Sequence, residues 1–164
     1  MSVREEGNSL ELFFSARSVA VVGASTHREK VGYQILSNLL KGVKNASLNS
    51  KNSLRKLYPV NPSASSILGL KCYPTMSSIT DRVDLVVIVT PVGTVMSIVE
   101  EILTHNQLLK AGDRVKAVII ISAGFAETDR EGGILQQRIL LKLSVAGIRL
   151  LGPNTLGLIH SANG

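Results

Sequence analysis

Five short apolar runs punctuate the chain: Val19–Val22, Leu57–Val60, Leu85–Val89, Ala117–Ile121 and Arg149–Leu151. They are rich in β-branched residues and lack polar alternation, the pattern of strands buried on both faces of a parallel sheet. Between most of them, apolar residues recur at helical spacing. Ile35, Leu36, Leu39, Leu40 and Val43 form one stripe after the first run. Val95, Val99 and Ile102 form another after the third, with Met96 and Leu103 beside it. Thr94 is placed to cap that helix and Gly112 to end it. Thr128-x-x-Glu131 reads as a capping box; Ile134, Leu135, Ile139 and Leu143 follow, and Gly147 stops the helix. The alternation predicts an α/β fold, a Rossmann-like parallel sheet of about five strands with flanking helices and right-handed crossovers.

The connection from Pro62 to Arg82 is less regular. It contains Ile67-Leu68-Gly69, Cys72-Tyr73-Pro74 and a short helix candidate at Met76–Ile79. Asn45–Ser53 is rich in Asn, Ser and Lys, so residues 44–56 are expected to form a mobile basic loop. The 164 residues suit one domain, with its ordered core over about residues 12–160.

Composition removes several function classes. Apolar residues make up 45%, which excludes wholesale disorder. A single cysteine, Cys72, allows no intramolecular disulfide and favours a cytoplasmic location. No membrane partner is expected, because the longest apolar runs have five residues where a spanning helix needs ~20. Met1–Asn8 has no apolar stretch behind a basic start. Three Phe, three Tyr and no Trp argue against a stacking platform for nucleic acid.

The net charge of +6 is unevenly spread. No Asp or Glu occurs from Lys30 through Thr80, a stretch with Lys30, Lys41, Lys44, Lys51, Arg55, Lys56 and Lys71. The rest of the chain nets −1, so the whole excess sits in one third of the molecule. The stretch is either a solvated basic surface or a site for a polyanion.

In an open parallel sheet, ligands bind beyond the carboxyl ends of the strands. The first run is followed by Gly23-Ala24-Ser25-Thr26-His27, with Lys30-Val31-Gly32 opening the helix. The others end at Asn61-Pro62-Ser63, Thr90-Pro91, Ser122-Ala123-Gly124-Phe125-Ala126-Glu127 and Gly152-Pro153-Asn154-Thr155. Each end is small, polar and turn-forming. A helix N-terminus behind small residues suits a phosphate group, although the first loop lacks the G-x-G-x-x-G spacing and also reads as a plain tight turn. An NAD site usually places an acid at the end of the second strand. Asn61-Pro62-Ser63 stands there instead, which favours a nucleotide with an extra ribose phosphate, such as coenzyme A or NADP.

Covalent chemistry has little support. His27 and His160 follow strands and are crevice candidates, whereas His105 reads as a surface residue. No histidine pair has metal-ligand spacing, and one cysteine cannot build a thiolate zinc cage. Asp84 starts a strand, at the wrong end for catalysis, and Glu127 and Asp129 read as helix-start acids. Cys72 reads as packing.

Taken in order, these segments resemble the NDP-forming acyl-CoA synthetases, and most closely the ADP-forming acetyl-CoA synthetases, relatives of the succinyl-CoA synthetase α subunit. The matching segments are Phe14–Ser25 with Lys30-Val31-Gly32, Tyr58–Pro62, Ile67-Leu68-Gly69 and Cys72-Tyr73-Pro74. They continue through Asp84-Leu85 with Thr90-Pro91, then Ser122–Glu127 and Leu151–Gly157. The resemblance implies the N-terminal CoA-binding domain of such an enzyme, with CoA or acyl-CoA as ligand and the remaining synthetase domains or subunit as partner. It implies that Gly23, Ala24, Ser25, Thr26, Lys30, Val31 and Gly32 hold CoA phosphates. It sets Asn61, Pro62 and Ser63 beside the adenosine, with Thr90, Pro91, Ser122, Ala123 and Gly124 also on CoA. Pro153 and Asn154 would face the thiol end.

Three departures from the family pattern stand out. Ser63 replaces a Lys that commonly follows Val-Asn-Pro, and the basic loop from Lys44 to Lys56 is expected to compensate. Thr155 replaces a Cys. The phosphorylated catalytic histidine of the family lies in the next domain, and His160 does not match it, so this chain alone is expected to bind without turnover. The alternatives are a CoA-sensing regulatory module, stand-alone or fused to a protein acetyltransferase, and an NADP-dependent oxidoreductase.

Overall fold

The structure is a computed structural model, and the residues it describes are 10–45 and 56–156. Helix α1 (Glu11–Phe14) leads into β1 (Ser18–Val22), α2 (Val31–Asn45) and β2 (Lys56–Val60). A small hairpin, β3 (Ser66–Ile67) with β4 (Leu70–Lys71), and a 3-10 turn at Met76–Ser78 precede β5 (Leu85–Ile88). Then come α3 (Val92–Leu108), a 3-10 turn at Ala111–Asp113, β6 (Ala117–Ile120), α4 (Arg130–Val145) and β7 (Arg149–Leu151).

The five expected strands form one parallel sheet in the order β2-β1-β5-β6-β7. Its register is level along one edge: Val22 lies opposite both Val60 and Ile88, Ile88 opposite Ile120, and Ile119 opposite Leu151. Successive side chains of a strand point to opposite faces, and both faces are covered here. Ala20, Val86 and Val118 pack in the layer that holds Ile102 of α3 and Leu143 of α4. Val21, Val87 and Ile119 pack in the layer of Phe13 of α1 and Leu36 of α2. This two-sided burial is why the runs lack polar alternation.

The opening ends of β1 and β5 are stitched by Asp84. Its Oδ2 accepts from the amides of Arg17 and Ser18 and from Ser18 Oγ at 3.0–3.2 Å, and its Oδ1 accepts from Arg82 Nε at 2.7 Å. Burial pushes the Asp84 carboxyl upward, but Arg82, the Arg17 amide and Ser18 together hold it below the usual carboxylate range. Its work is structural, at the edge away from the crevice.

Several local expectations need correction. Helix α3 starts at Val92 behind Pro91, so Thr94 lies inside its first turn, where Oγ1 donates to the Pro91 carbonyl at 2.8 Å. That helix ends at Leu108, and Gly112 belongs to the following 3-10 turn. The cap of α4 is Asp129, whose carboxylate accepts from Gly132 N at 2.7 Å; Thr128 and Glu131 form no capping box. Ile134 is 53% exposed rather than in the core. His105 is buried, with Nε2 lacking a partner among the described residues, because α3 continues beyond Ile102 and carries it inward. Of the expected basic loop, Asn45 closes α2 and Lys56 opens β2; residues 46–55 lie outside the described residues, as does His160.

Candidate functional site

The connection from β1 runs toward β2, and the connection from β5 runs toward β6, so chains diverge between two adjacent strands and open a crevice at their carboxyl ends. Gly23 ends β1 at φ +93° and sits against β5: a Cβ there would lie 2.9 Å from Thr90 Cγ2. Gly32 lets the first turn of α2 touch this loop, since a Cβ on it would stand 2.1 Å from the Gly23 carbonyl oxygen. Close backbone approach, rather than a nucleotide fingerprint spacing, explains both glycines.

This first loop has donors to spare. His27 N turns back to Ser25 Oγ at 3.1 Å, and Lys30 N to the His27 carbonyl at 3.1 Å. The amides of Ser25, Thr26 and Val31 meet no acceptor among the described residues. Arg28 and Lys30 are exposed beside them, and the first turn of α2 holds no acid. Glu29 lies between the two cations and turns to His27, so unpaired amides, a helix N-terminus and a local cation excess make an anion cradle. His27 is exposed and stands 3.7 Å from Glu29.

Cross-links hold the other strand ends in place around the cradle. Asn61 Nδ2 donates to the Ala24 carbonyl at 2.7 Å, tying the end of β2 to the first loop, and Asn61 Oδ1 accepts from Ser63 N at 2.8 Å. Pro62 and Ser63 are exposed beyond it. Ser122 Oγ donates to the Thr90 carbonyl, and the Ser122 carbonyl accepts from Asn154 N at 3.0 Å. So Ser122 joins the ends of β5, β6 and β7. Ala123 and Pro91 are exposed on this rim, and Asn154 adopts φ +54° beside Pro153. All seventeen expected contact residues therefore lie at the same edge of the sheet, on five neighbouring loops.

The fourth loop is chemically different from the first. Glu127 turns its carboxylate back onto Gly124 N at 2.6 Å and Phe125 N at 3.1 Å. The Gly124 amide first, and the Phe125 amide with it, hold the Glu127 carboxyl below its ordinary range. Glu127 is therefore more than a helix-start acid: it closes the loop on its own amides.

Two expectations about other groups can be placed. Cys72 is buried with its thiol pushed upward, first by burial, as a packing residue would be. Lys56 lies at the amino end of β2, paired with Asp81 at 3.1 Å, on the edge opposite the crevice. Among the described residues no His, Cys, Asp and Glu cluster could hold a metal ion. Nor is any helix long and apolar enough to cross a membrane.

Residues 17–161 match the model of a family described as a CoA binding domain. The chain belongs to that family. It is 36% identical over 151 residues to an ADP-forming acetate–CoA ligase of Archaeoglobus fulgidus, covering 92% of this chain and 20% of the ligase. A solved structure of the dinucleotide-forming acetyl-coenzyme A synthetase 1 of Ca. Korarchaeum cryptofilum, in its apo form, superposes with TM-score 0.77 at 33% identity, over 94% of this chain and 30% of that one. A conserved hypothetical protein of Pyrococcus furiosus matches with TM-score 0.57 at 25% identity, over 82% of this chain and 90% of that one. This CoA-binding domain thus corresponds to a fifth to a third of the length of the synthetases it resembles.

Proposed function

We propose that this domain binds coenzyme A across the crevice, as the CoA-binding part of an ADP-forming acyl-CoA synthetase. The observation that carries the reading is the first loop, where free amides, the start of α2, Arg28 and Lys30 converge beside the switch point. The CoA diphosphate lies on Ser25, Thr26 and the Lys30–Gly32 turn, where its charge meets the helix N-terminus. The adenosine runs toward Asn61, Pro62 and Ser63, and the pantetheine toward Thr90, Pro91 and Ser122–Gly124. Pro153 and Asn154 face the thiol. In the parent reaction, acyl-CoA, ADP and phosphate give acid, ATP and CoA; this domain supplies the CoA site and no catalytic side chain.

Parallel calorimetric titration with CoA, dephospho-CoA, NADP and NAD tests this. CoA is expected to bind most tightly. Tight NADP binding without CoA binding would establish the oxidoreductase reading instead. A mixture of this chain with acetyl-CoA, ADP and phosphate is expected to yield no ATP. One observation favours a second reading, a stand-alone CoA-binding regulator: this domain's fold alone accounts for 90% of the Pyrococcus furiosus protein. Both readings share the CoA site, and they separate on whether a synthetase subunit restores turnover.

A further inference from the structure

Helix α4 is apolar on two sides. Ile139 and Leu143 face the core and are buried. Ile134, Leu141 and Val145, spaced seven and then four residues apart, share the opposite face and are 53%, 66% and 81% exposed. An exposed apolar stripe opposite the core face leaves that second side without cover. Beside this stripe, the carboxyl ends of α3 and α4 enclose a groove of about 560 Å³ whose apolar lining is Leu103, Leu141 and Val145, and Leu108 stands 82% exposed at the end of α3. The groove lies at the amino edge of the sheet, away from the CoA crevice.

Its rim is basic. Arg114 and Lys142 line it, and Arg138 is exposed one turn away on α4. Lys142 pairs with Glu100 at 3.2 Å, but Arg114 and Arg138 pair with no carboxylate among the described residues. A second copy of this chain is a poor occupant, because a two-fold contact would set Arg138 and Arg114 against their own like charges. The undescribed stretches of the chain fit no better: 46–55 and 157–164 contain no acid, and 1–9 has no apolar stripe beside Glu5 and Glu6. The synthetases that this domain resembles are three to five times its length, so most of their chain lies outside the matched domain and is available as a partner.

We propose that this face docks an amphipathic helix from the remainder of the synthetase, one whose apolar stripe is flanked by carboxylates; the proposal rests on the synthetase reading above. Its apolar residues cover Leu141, Val145 and Leu108, and its acids meet Arg114 and Arg138.

The test uses two synthetic helical peptides with the same leucine stripe, one flanked by Glu and one by Lys, titrated into this domain with amide chemical-shift mapping. The Glu peptide is expected to bind about tenfold more tightly than the Lys peptide, with shifts centred on Leu108, Leu141 and Val145. Leu141→Asp and Val145→Asp, both at exposed positions, are expected to abolish that preference and leave CoA titration unchanged. Equal binding of the two peptides, no binding, or shifts elsewhere would overturn the proposal. So would self-association of the wild-type chain that Leu141→Asp removes, or attachment to anionic vesicles in place of the Glu peptide. CoA titration on the same samples reports separately on the CoA site, so its loss would point to the functional reading and not to the docking face.

Discussion

The loops after β1 and β6 are built alike and do opposite things. Each ends a central strand, turns through a glycine with positive φ, and starts a helix whose early glycine presses on the loop backbone. A Cβ on Gly32 would sit 2.1 Å from the Gly23 carbonyl oxygen, and one on Gly132 would sit 2.2 Å from that of Phe125. The difference is in who answers the amides. After β6 they are answered internally: Glu127 takes Gly124 N and Phe125 N, Gln136 takes Ala126 N and Asp129 takes Gly132 N. After β1 the amides of Ser25, Thr26 and Val31 meet no acceptor among the described residues, with Arg28 and Lys30 at hand. Backbone shape alone therefore does not make an anion site; the side chains decide whether its charge is spent inside the fold or kept for a ligand.

The largest test separates shape from charge. Gly32→Ala and Gly132→Ala each force a methyl against a carbonyl oxygen, at a cost of about 3 kcal/mol. Urea denaturation should show similar losses for both. Calorimetry on the folded protein should show weakened CoA only for Gly32→Ala, because only that turn is proposed to hold phosphate. If Gly132→Ala weakens CoA as much, the two loops are not functionally distinct.

Next comes the charge itself. Lys30→Glu is expected to turn an attraction for the proposed phosphate into a repulsion, worth about tenfold in CoA affinity for a solvent-exposed pair in contact range. The effect should shrink as salt is raised. Arg130→Glu, at the start of α4, should change CoA affinity by less than about twofold, because the amides of that loop are already answered internally and its cation is screened. Equal losses from the two reversals would remove Lys30 from the cradle.

Glu127→Gln probes the closed loop. A carboxyl held below its ordinary range in the folded state stabilises the fold above the unfolded carboxylate pKa, and that contribution fades as pH falls through the folded value. Thermal melts should therefore show Tm of Glu127→Gln below wild type at neutral pH, with the two converging in acid. A gap that persists in acid would mean that the amide contacts of Glu127 are not what sets it.

Why one loop was readable from sequence and the other was not follows from the same chemistry. The strands were legible because two-sided burial admits only apolar residues, and their level carboxyl ends brought every expected loop to one edge. The open cradle was legible as small residues ahead of Lys30, with no acid in the first turn of α2 to consume it. Glu127 was not, because a carboxylate curling back three residues to Gly124 looks like any helix-start acid. His105 and Ile134 failed in opposite directions for one reason: periodicity gives a helix face, but the length of α3 and the outer exposure of α4 depend on neighbours. Leu68 at φ +53° and Gly69 at φ +78° make a two-residue turn that fits a hairpin, yet β3 and β4 are too short to show alternation.

The smallest effect sharpens where the ligand's charge ends. The charge-poor end of β2 invited the basic segment before it to serve as partner for a ribose phosphate, but Lys56 opens β2 rather than closing it. It opens the five-residue strand that ends just before Asn61, a rise of roughly 16 Å, and its ammonium already sits 3.1 Å from Asp81. Lys56→Gln should accordingly leave the ratio of CoA to dephospho-CoA affinity within about twofold of wild type, since a screened charge at that distance contributes little. A selective loss of CoA affinity in Lys56→Gln would mean that the ligand reaches past the crevice to the amino edge, and the assignment of the adenosine to Asn61, Pro62 and Ser63 would fall with it.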